Sequence, residues 1–178
     1  AHFLSNWQKL TSDPQILSTV KGMQIEWVGK PQTTYHGHTP RFSKNQEIEI
    51  TQEVHKLLEK GAIEETEPSH YQFVGHLFLA PKKDGSKRPV FNLKRLNSWV
   101  KYEHFKMEGI PEVVDMLRPN DWMVKLDLKD AFFGVRMSKK DRKFLRFRWQ
   151  GKLFQFRAAP FGLSSLPRQY TKLLKPVV

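Results

Sequence analysis

The run from Leu145 to Phe156 constrains this chain more than any other. Leu145, Phe147 and Trp149 alternate with Arg146 and Arg148, and after Gln150-Gly151 the run resumes as Lys152–Phe156. A period of two puts the apolar side chains on one face of a strand and gives no single stripe on a helix. The segment is therefore predicted to be a β-hairpin with one apolar and one basic face. Such an apolar face needs a second layer over it.

A helix is predicted upstream. Ser43 can cap it, with Gln46 completing a capping box, and Ile50, Val54, Leu57 and Leu58 form the apolar stripe before Gly61 stops it. Seven glutamates between Glu47 and Glu67 read as a solvated acidic face turned away from any polyanion. Around Asp84-Gly85 another hairpin is predicted, with Val74 to Ala80 as one strand and Arg88 to Leu93 as its return. A short helix starts at Pro111 and ends before Pro119. Trp122 to Leu128 is predicted as a strand entering a turn, and Ser164 or Ser165 opens a last helix containing Tyr170, Leu173 and Leu174. Residues 1–41 mix Phe3, Trp7, Trp27 and Tyr35 with polar residues without a sustained period, and are predicted as an extended arm packed on the rest. Interleaved strands and helices, joined by hairpins rather than regular crossovers, make the fold class α+β.

Composition narrows the partners. Lys and Arg number 30 against 18 Asp and Glu, a net charge of +12, which favours nucleic acid ahead of an anionic membrane; a basic domain with no such partner is the plain alternative. The 13 Phe and 5 Trp argue against disorder. With no cysteine there is no disulfide, thiolate zinc site or cysteine nucleophile. His36 and His38, beside Thr39, Pro40 and Arg41, read as a polar loop rather than a metal site. No apolar run approaches the ~20 residues of a membrane span, and residues 1–25 lack a signal-peptide core, so no membrane partner is expected. Starting at Ala1 rather than Met, the chain reads as a fragment or a processed product.

Three segments carry chemistry. The first runs Val124-Lys125-Leu126-Asp127-Leu128-Lys129-Asp130-Ala131-Phe132-Phe133. A lone carboxylate is costly to bury between leucines at a strand end, and a divalent ion would offset that cost. Mg²⁺ favours one or two carboxylates plus substrate phosphates. Asp130 and Ala131 fall where the strand turns, with amides free to face phosphates, and the two phenylalanines offer one ring to a ligand and one to the core. On local chemistry Asp127 reads equally well as a turn or cap residue. In the second, Leu79 to Val90, a lysine-rich hairpin tip could meet phosphates, though by itself it reads as a solvated loop. The third, Ala159 to Pro167, is a Gly-containing turn into a helix, where Gly162 lets backbone approach a substrate closely.

In this order the segments resemble the motifs of retroelement reverse transcriptases, over about residues 45–178, and Asn92 to Asn97 resembles the segment that links fingers to palm. Vertebrate retroviral enzymes usually carry Gln where Phe161 stands. The Pro-Phe-Gly version is typical of gypsy-type and DIRS-like elements. LDLKDAFFGV with PFGLSS, and the N-terminal FLSNWQKLTSDP, point to the DIRS-like group. The resemblance implies right-hand polymerase fingers and a partial palm: an N-terminal arm over 1–42, mainly fingers over 43–121 (the helix plus the hairpin 74–93), and partial palm over 122–178. It implies that Asp127 is catalytic and, with Leu128, binds metal. Lys83 and Arg88 clamp the nucleotide phosphates, and Asp130 and Ala131 support the triphosphate. Phe132 is the gate that rejects a ribose 2′-hydroxyl, Phe133 is core, and Phe161 and Gly162 lie beneath the nucleotide and template base. The implied cofactor is Mg²⁺ in a two-ion site. The implied partners are an RNA or DNA template with primer, deoxynucleoside triphosphates and the remainder of the polymerase polypeptide.

Two further features bear on that implication. These enzymes carry more carboxylates in an aromatic-x-Asp-Asp hairpin, but the sequence holds no Asp-Asp pair and no acid after Asp141. Two-metal phosphoryl transfer needs carboxylates from more than one element, so the chain is expected to be inactive by itself and its catalytic site only partly encoded. A non-catalytic nucleic-acid-binding remnant is the alternative. Between Lys139 and Lys175 eleven Lys or Arg face a single acid. Arg146, Arg148, Lys152 and Arg157 are therefore candidate nucleic-acid contacts, with the wet face of a hairpin as the competing reading.

Overall fold

The computed structural model describes residues 3–31, 33–38, 40–81, 85, 87–106, 109–124 and 127–177, with only the backbone for Lys87, Arg88 and Glu112. Its N-terminus corrects the extended-arm expectation. α1 (Leu4–Leu10) and α2 (Pro14–Lys21) form a helical pair. Asp13 caps α2, its Oδ1 accepting from the Gln15 N–H at 2.7 Å and the Ile16 N–H at 3.3 Å, while Pro14 sits in the first turn, where its missing N–H has no partner to lose. Helices this short show too few turns for a period to be legible; the Asp-Pro start was the usable signal. Met23 and Ile25 then enter the core. There the buried Asp141 carboxylate accepts from the Ile25 N–H at 3.2 Å and the Trp27 Nε1–H at 3.4 Å.

After the short strand β1 (Tyr35–His36) comes α3 (Lys44–Glu59), whose capping box forms between Ser43 and Gln46 as predicted. Ile50, Val54 and Leu57 are buried while Leu58 is exposed. The helix closes with Gly61 in the left-handed region (φ +63°), so that the N–H of Ala62 reaches the carbonyl of Leu57 and that of Gly61 the carbonyl of Leu58, both at 2.9 Å. Next come β2 (Ile63–Glu65), β3 (Phe73–Gly75), β4 (Leu77–Pro81) and β5 (Lys87–Phe91). The strand predicted from Val74 to Ala80 is thus two strands. The chain changes partners at His76, and a Cβ on Gly75 would stand 2.6 Å from the Phe91 ring and 2.9 Å from the Asn92 carbonyl, so only glycine fits this crossing. α4 (Lys94–Asn97) and α5 (Ile110–Met116) follow, then β6 (Arg146–Trp149), β7 (Lys152–Phe156) and α6 (Leu166–Leu174).

One sheet has the order β1-β3-β6-β7-β2, and β4 pairs with β5 in a separate antiparallel ribbon. β6 and β7 form the predicted hairpin. Trp149 lies opposite Lys152, with Gln150 (φ +48°) and Gly151 (φ +78°) making the turn. The apolar face is as expected: Phe147 stacks on Phe154 at 5.6 Å, Phe91 on Phe156 at 5.2 Å, and the Trp149 Nε1–H donates to Thr51 Oγ1 of α3 at 3.1 Å. The opposite face is not uniformly wet and basic. Arg146 is only 5% exposed, because residues 66–72 fold over it.

The second correction concerns Trp122 to Leu128. Among the described residues 121–124 and 127–128 there is no strand, and Trp122 is 100% exposed. A β-segment needs a neighbour to satisfy its amides and cover a face; none of the described strands pairs with this one. Lys125 and Leu126 lie outside the described residues.

Candidate functional site

The predicted nucleotide-supporting residues converge on one small surface. Asp130 adopts the left-handed conformation (φ +55°, ψ +32°), and its carbonyl accepts from the Phe133 N–H at 2.8 Å to start a 3-10 turn over Ala131–Gly134. The chain then runs back against the third motif: the Ala159 N–H donates to the Val135 carbonyl at 2.8 Å, and Arg136 bridges Ala158. This backbone pairing brings together aromatic rings from distant parts of the sequence. Phe132 lies 5.1 Å from Phe161 and 5.0 Å, edge-on, from Tyr170 of α6; Phe133 meets Phe161 edge-on at 5.7 Å. Phe132 and Phe133 are both half-buried against the core, whereas Phe161 is 53% exposed. Burial raises the Tyr170 pKa above its ordinary value, so its hydroxyl stays neutral.

Gly162 takes φ +95°, a conformation open to glycine at little cost. Its carbonyl accepts from the Asn97 Nδ2–H at 2.8 Å, and Asn97 Oδ1 accepts from the Ser164 N–H at 3.0 Å. Asn97 therefore holds both sides of the Pro-Phe-Gly turn. A polar residue after a leucine is the one local trace of that clamp, and nothing local marks Lys60, whose Nζ stands 2.7 Å from Asp130 Oδ2.

Asp127 is exposed, and so is Leu128, whose only oxygen is its main-chain carbonyl. The cost of burying a carboxylate between leucines therefore does not arise at Asp127. Among the described residues no three His, Asp or Glu groups gather where they could hold a metal ion. One carboxylate and one carbonyl oxygen suit one side of a Mg²⁺ shell and leave the rest of it to other donors. Lys83 lies outside the described residues. Of Arg88 only the backbone is described, paired with Ala80 in the β4–β5 ribbon.

The four basic candidates separate. Arg146 is internal: its guanidinium donates to Gln72 Oε1 at 2.6 Å, Ser69 Oγ at 2.9 Å, Gln155 Oε1 at 2.9 Å and the Glu67 carbonyl at 3.2 Å. Its nearest oxygens are neutral, and burial lowers its pKa from the ordinary arginine value. A guanidinium so committed does not serve as a surface contact. Lys152 pairs with Glu65 at 2.8 Å and Arg157 with Glu64 at 3.5 Å, so part of the glutamate run faces the basic hairpin rather than away from it. Arg148 is exposed and has no ion pair among the described residues; it borders a groove of ≈ 430 Å³ with Arg41, Phe42, Glu47 and Trp149.

Comparison with known proteins bears on this geometry. The family profile described as "Reverse transcriptase (RNA-dependent DNA polymerase)" matches residues 80–178. The Transposon Tf2-3 and Tf2-7 polyproteins of Schizosaccharomyces pombe are each 26% identical over 129 residues, which is 72% of this chain and 10% of the polyprotein. The chain thus spans about a tenth of the length of these curated relatives. The crystal structure of prototype foamy virus protease-reverse transcriptase superposes with a TM-score of 0.70 at 18% identity, over 88% of this chain and 21% of that one. The foamy viral enzyme in complex with an RNA/DNA hybrid gives 0.65 at 17% identity, with the same coverage of both chains. The mixed α+β architecture is therefore that of reverse-transcriptase fingers and palm.

Proposed function

Since this chain belongs to the reverse transcriptase family, we propose that it is the fingers and partial palm of a retroelement polymerase, of the gypsy-type or DIRS-like group, that binds primer–template and deoxynucleoside triphosphate. The observation that carries this reading is the convergence of Asp130, Ala131, Phe132, Phe161 and Gly162 on one surface, held by the Val135–Ala159 pairing and the Asn97 clamp. The foamy viral relative in complex with an RNA/DNA hybrid has the same fold, which supports a nucleic-acid partner here.

In this reading Asp127 and the Leu128 carbonyl would hold Mg²⁺, which when bound lowers the barrier to phosphoryl transfer by neutralising charge on the phosphates. The amides at Asp130 and Ala131 support the triphosphate, Lys83 and Arg88 supply positive charge from the hairpin tip, and the Phe132 ring excludes a 2′-hydroxyl by steric contact. Phe161 and Gly162 form the floor under the base pair. Arg148 contacts the nucleic-acid backbone, whereas Lys152 and Arg157 must first exchange their glutamate partners for phosphate.

The experiment is primer extension with Mg²⁺, primer–template and deoxynucleotides. The 178-residue chain is expected to bind primer–template without extending it, and extension by this chain overturns the incomplete-site reading. A longer polypeptide that includes an aromatic-x-Asp-Asp segment is expected to extend primers, with Asp127→Asn reducing extension to background. Binding without extension in the longer polypeptide favours a non-catalytic remnant.

A further inference from the structure

Asp130 is one of few non-glycine residues here with a positive φ, at +55°. An L-residue held there needs its surroundings to keep it, and aspartate tolerates the conformation better than most. The structure contains one such restraint. Lys60, at the C-cap of α3, reaches across to Asp130 with 2.7 Å between Nζ and Oδ2, and its ammonium also lies 6.0 Å from the centre of the Phe133 ring. The C-cap is itself fixed by the left-handed Gly61 and the paired hydrogen bonds to Leu57 and Leu58, so the lysine springs from a rigid base.

Packing of Phe132 and Phe133 against the core covers only part of this junction. Between the end of α3 and the turn lies a cavity of ≈ 260 Å³, walled mainly by apolar residues such as Val54, Leu57, Leu77, Phe91 and Phe133, with Glu53, Lys60 and Asp130 also lining it. Where side chains leave a void, neither wall holds the other in place. The ion pair links α3 to the turn across that gap.

We propose that Lys60 is a positioning residue: through Asp130 it sets the conformation of the Asp130–Gly134 turn, and so the affinity for the deoxynucleotide. The second half of this role rests on that turn supporting the triphosphate, as proposed above. Lys60 makes its ammonium contacts here with Asp130 and the Phe133 ring. It acts by restricting the states open to the turn before substrate arrives.

Two measurements test it. In the 178-residue chain, Lys60→Met is expected to speed hydrogen exchange at the Phe133 and Val135 amides about threefold, the factor an exposed ion pair is worth. The melting temperature should hold, and Lys60→Arg should restore protection. Unchanged exchange in Lys60→Met, or loss of protection in Lys60→Arg as well, overturns the tie. In the longer, primer-extending polypeptide the same substitution is expected to raise KM for deoxynucleotide about threefold with kcat held; a fall in kcat at constant KM, or no change in either, overturns the positioning role. Absent extension, or extension that survives Asp127→Asn, instead defeats the polymerase reading, and the exchange result still decides whether Lys60 holds the turn.

Discussion

The β6–β7 hairpin and residues 122–128 both read as β-structure in the sequence, and both carry a tryptophan. In the fold they are opposites. Trp149 is 8% exposed, with Phe42 5.8 Å away and Thr51 accepting from its indole, whereas Trp122 is 100% exposed and its segment has no partner strand among the described residues. β-propensity measures fit to a pleated, half-buried surface rather than an intrinsic backbone preference. The hairpin brings its own partner within a two-residue turn and receives β2 and β3 at its sides. The described residues of the 121–128 segment have no such neighbour and are exposed.

The contrast is most sharply tested in the core. Phe147→Ala removes a fully buried ring that contacts Phe91, Phe154 and Phe156 and is expected to cost about 3–5 kcal/mol in urea unfolding. Trp122→Ala, the larger deletion by volume, is expected to change stability by less than about 0.5 kcal/mol. A comparable loss at both positions would mean that the 121–128 segment is packed in solution.

The next test lies on the other face of the same hairpin. Arg146→Met leaves Gln72, Ser69 and Gln155 without their shared donor. It is expected to cost about 2–3 kcal/mol by the same unfolding assay, since buried acceptors are left unsatisfied. The smallest effect is expected at Arg148, next but one in the same strand. Arg148→Met should leave stability within about 0.5 kcal/mol. It should also weaken duplex binding and lower the slope of log affinity against log salt by about one. An unchanged salt slope removes Arg148 from the nucleic-acid surface.

Several elements were legible because their signals are local. The Ser43–Gln46 capping box, the stop at Gly61, the hairpin turn at Gln150-Gly151 and the short helix from Pro111 each depend on residues within a turn or two of one another. The N-terminal helices escaped because a period needs more residues than they possess; only the Asp13-Pro14 start betrays α2. Arg146 departs from expectation for a different reason. Alternation assigns it to the face opposite Phe147, correctly, but cannot tell that residues 66–72 will cover that face.

The same division runs through the candidate site. Which residues are capable of the chemistry is written in the chain itself: the carboxylates of Asp127 and Asp130, the paired phenylalanines and the glycine of the Pro-Phe-Gly turn, in an order that resembles one polymerase family. Tertiary structure alone decided how they meet. Phe132 reaches Phe161 because Val135 pairs with Ala159; Asn97 holds Gly162 and Ser164 from a different helix; Lys60 anchors Asp130 across a cavity. Short-range rules act through bonds and turn geometry that neighbours in the chain share. These contacts join residues far apart in the chain, and which of them form depends on how the sheet and α3 pack, a property of the whole fold that no local window contains.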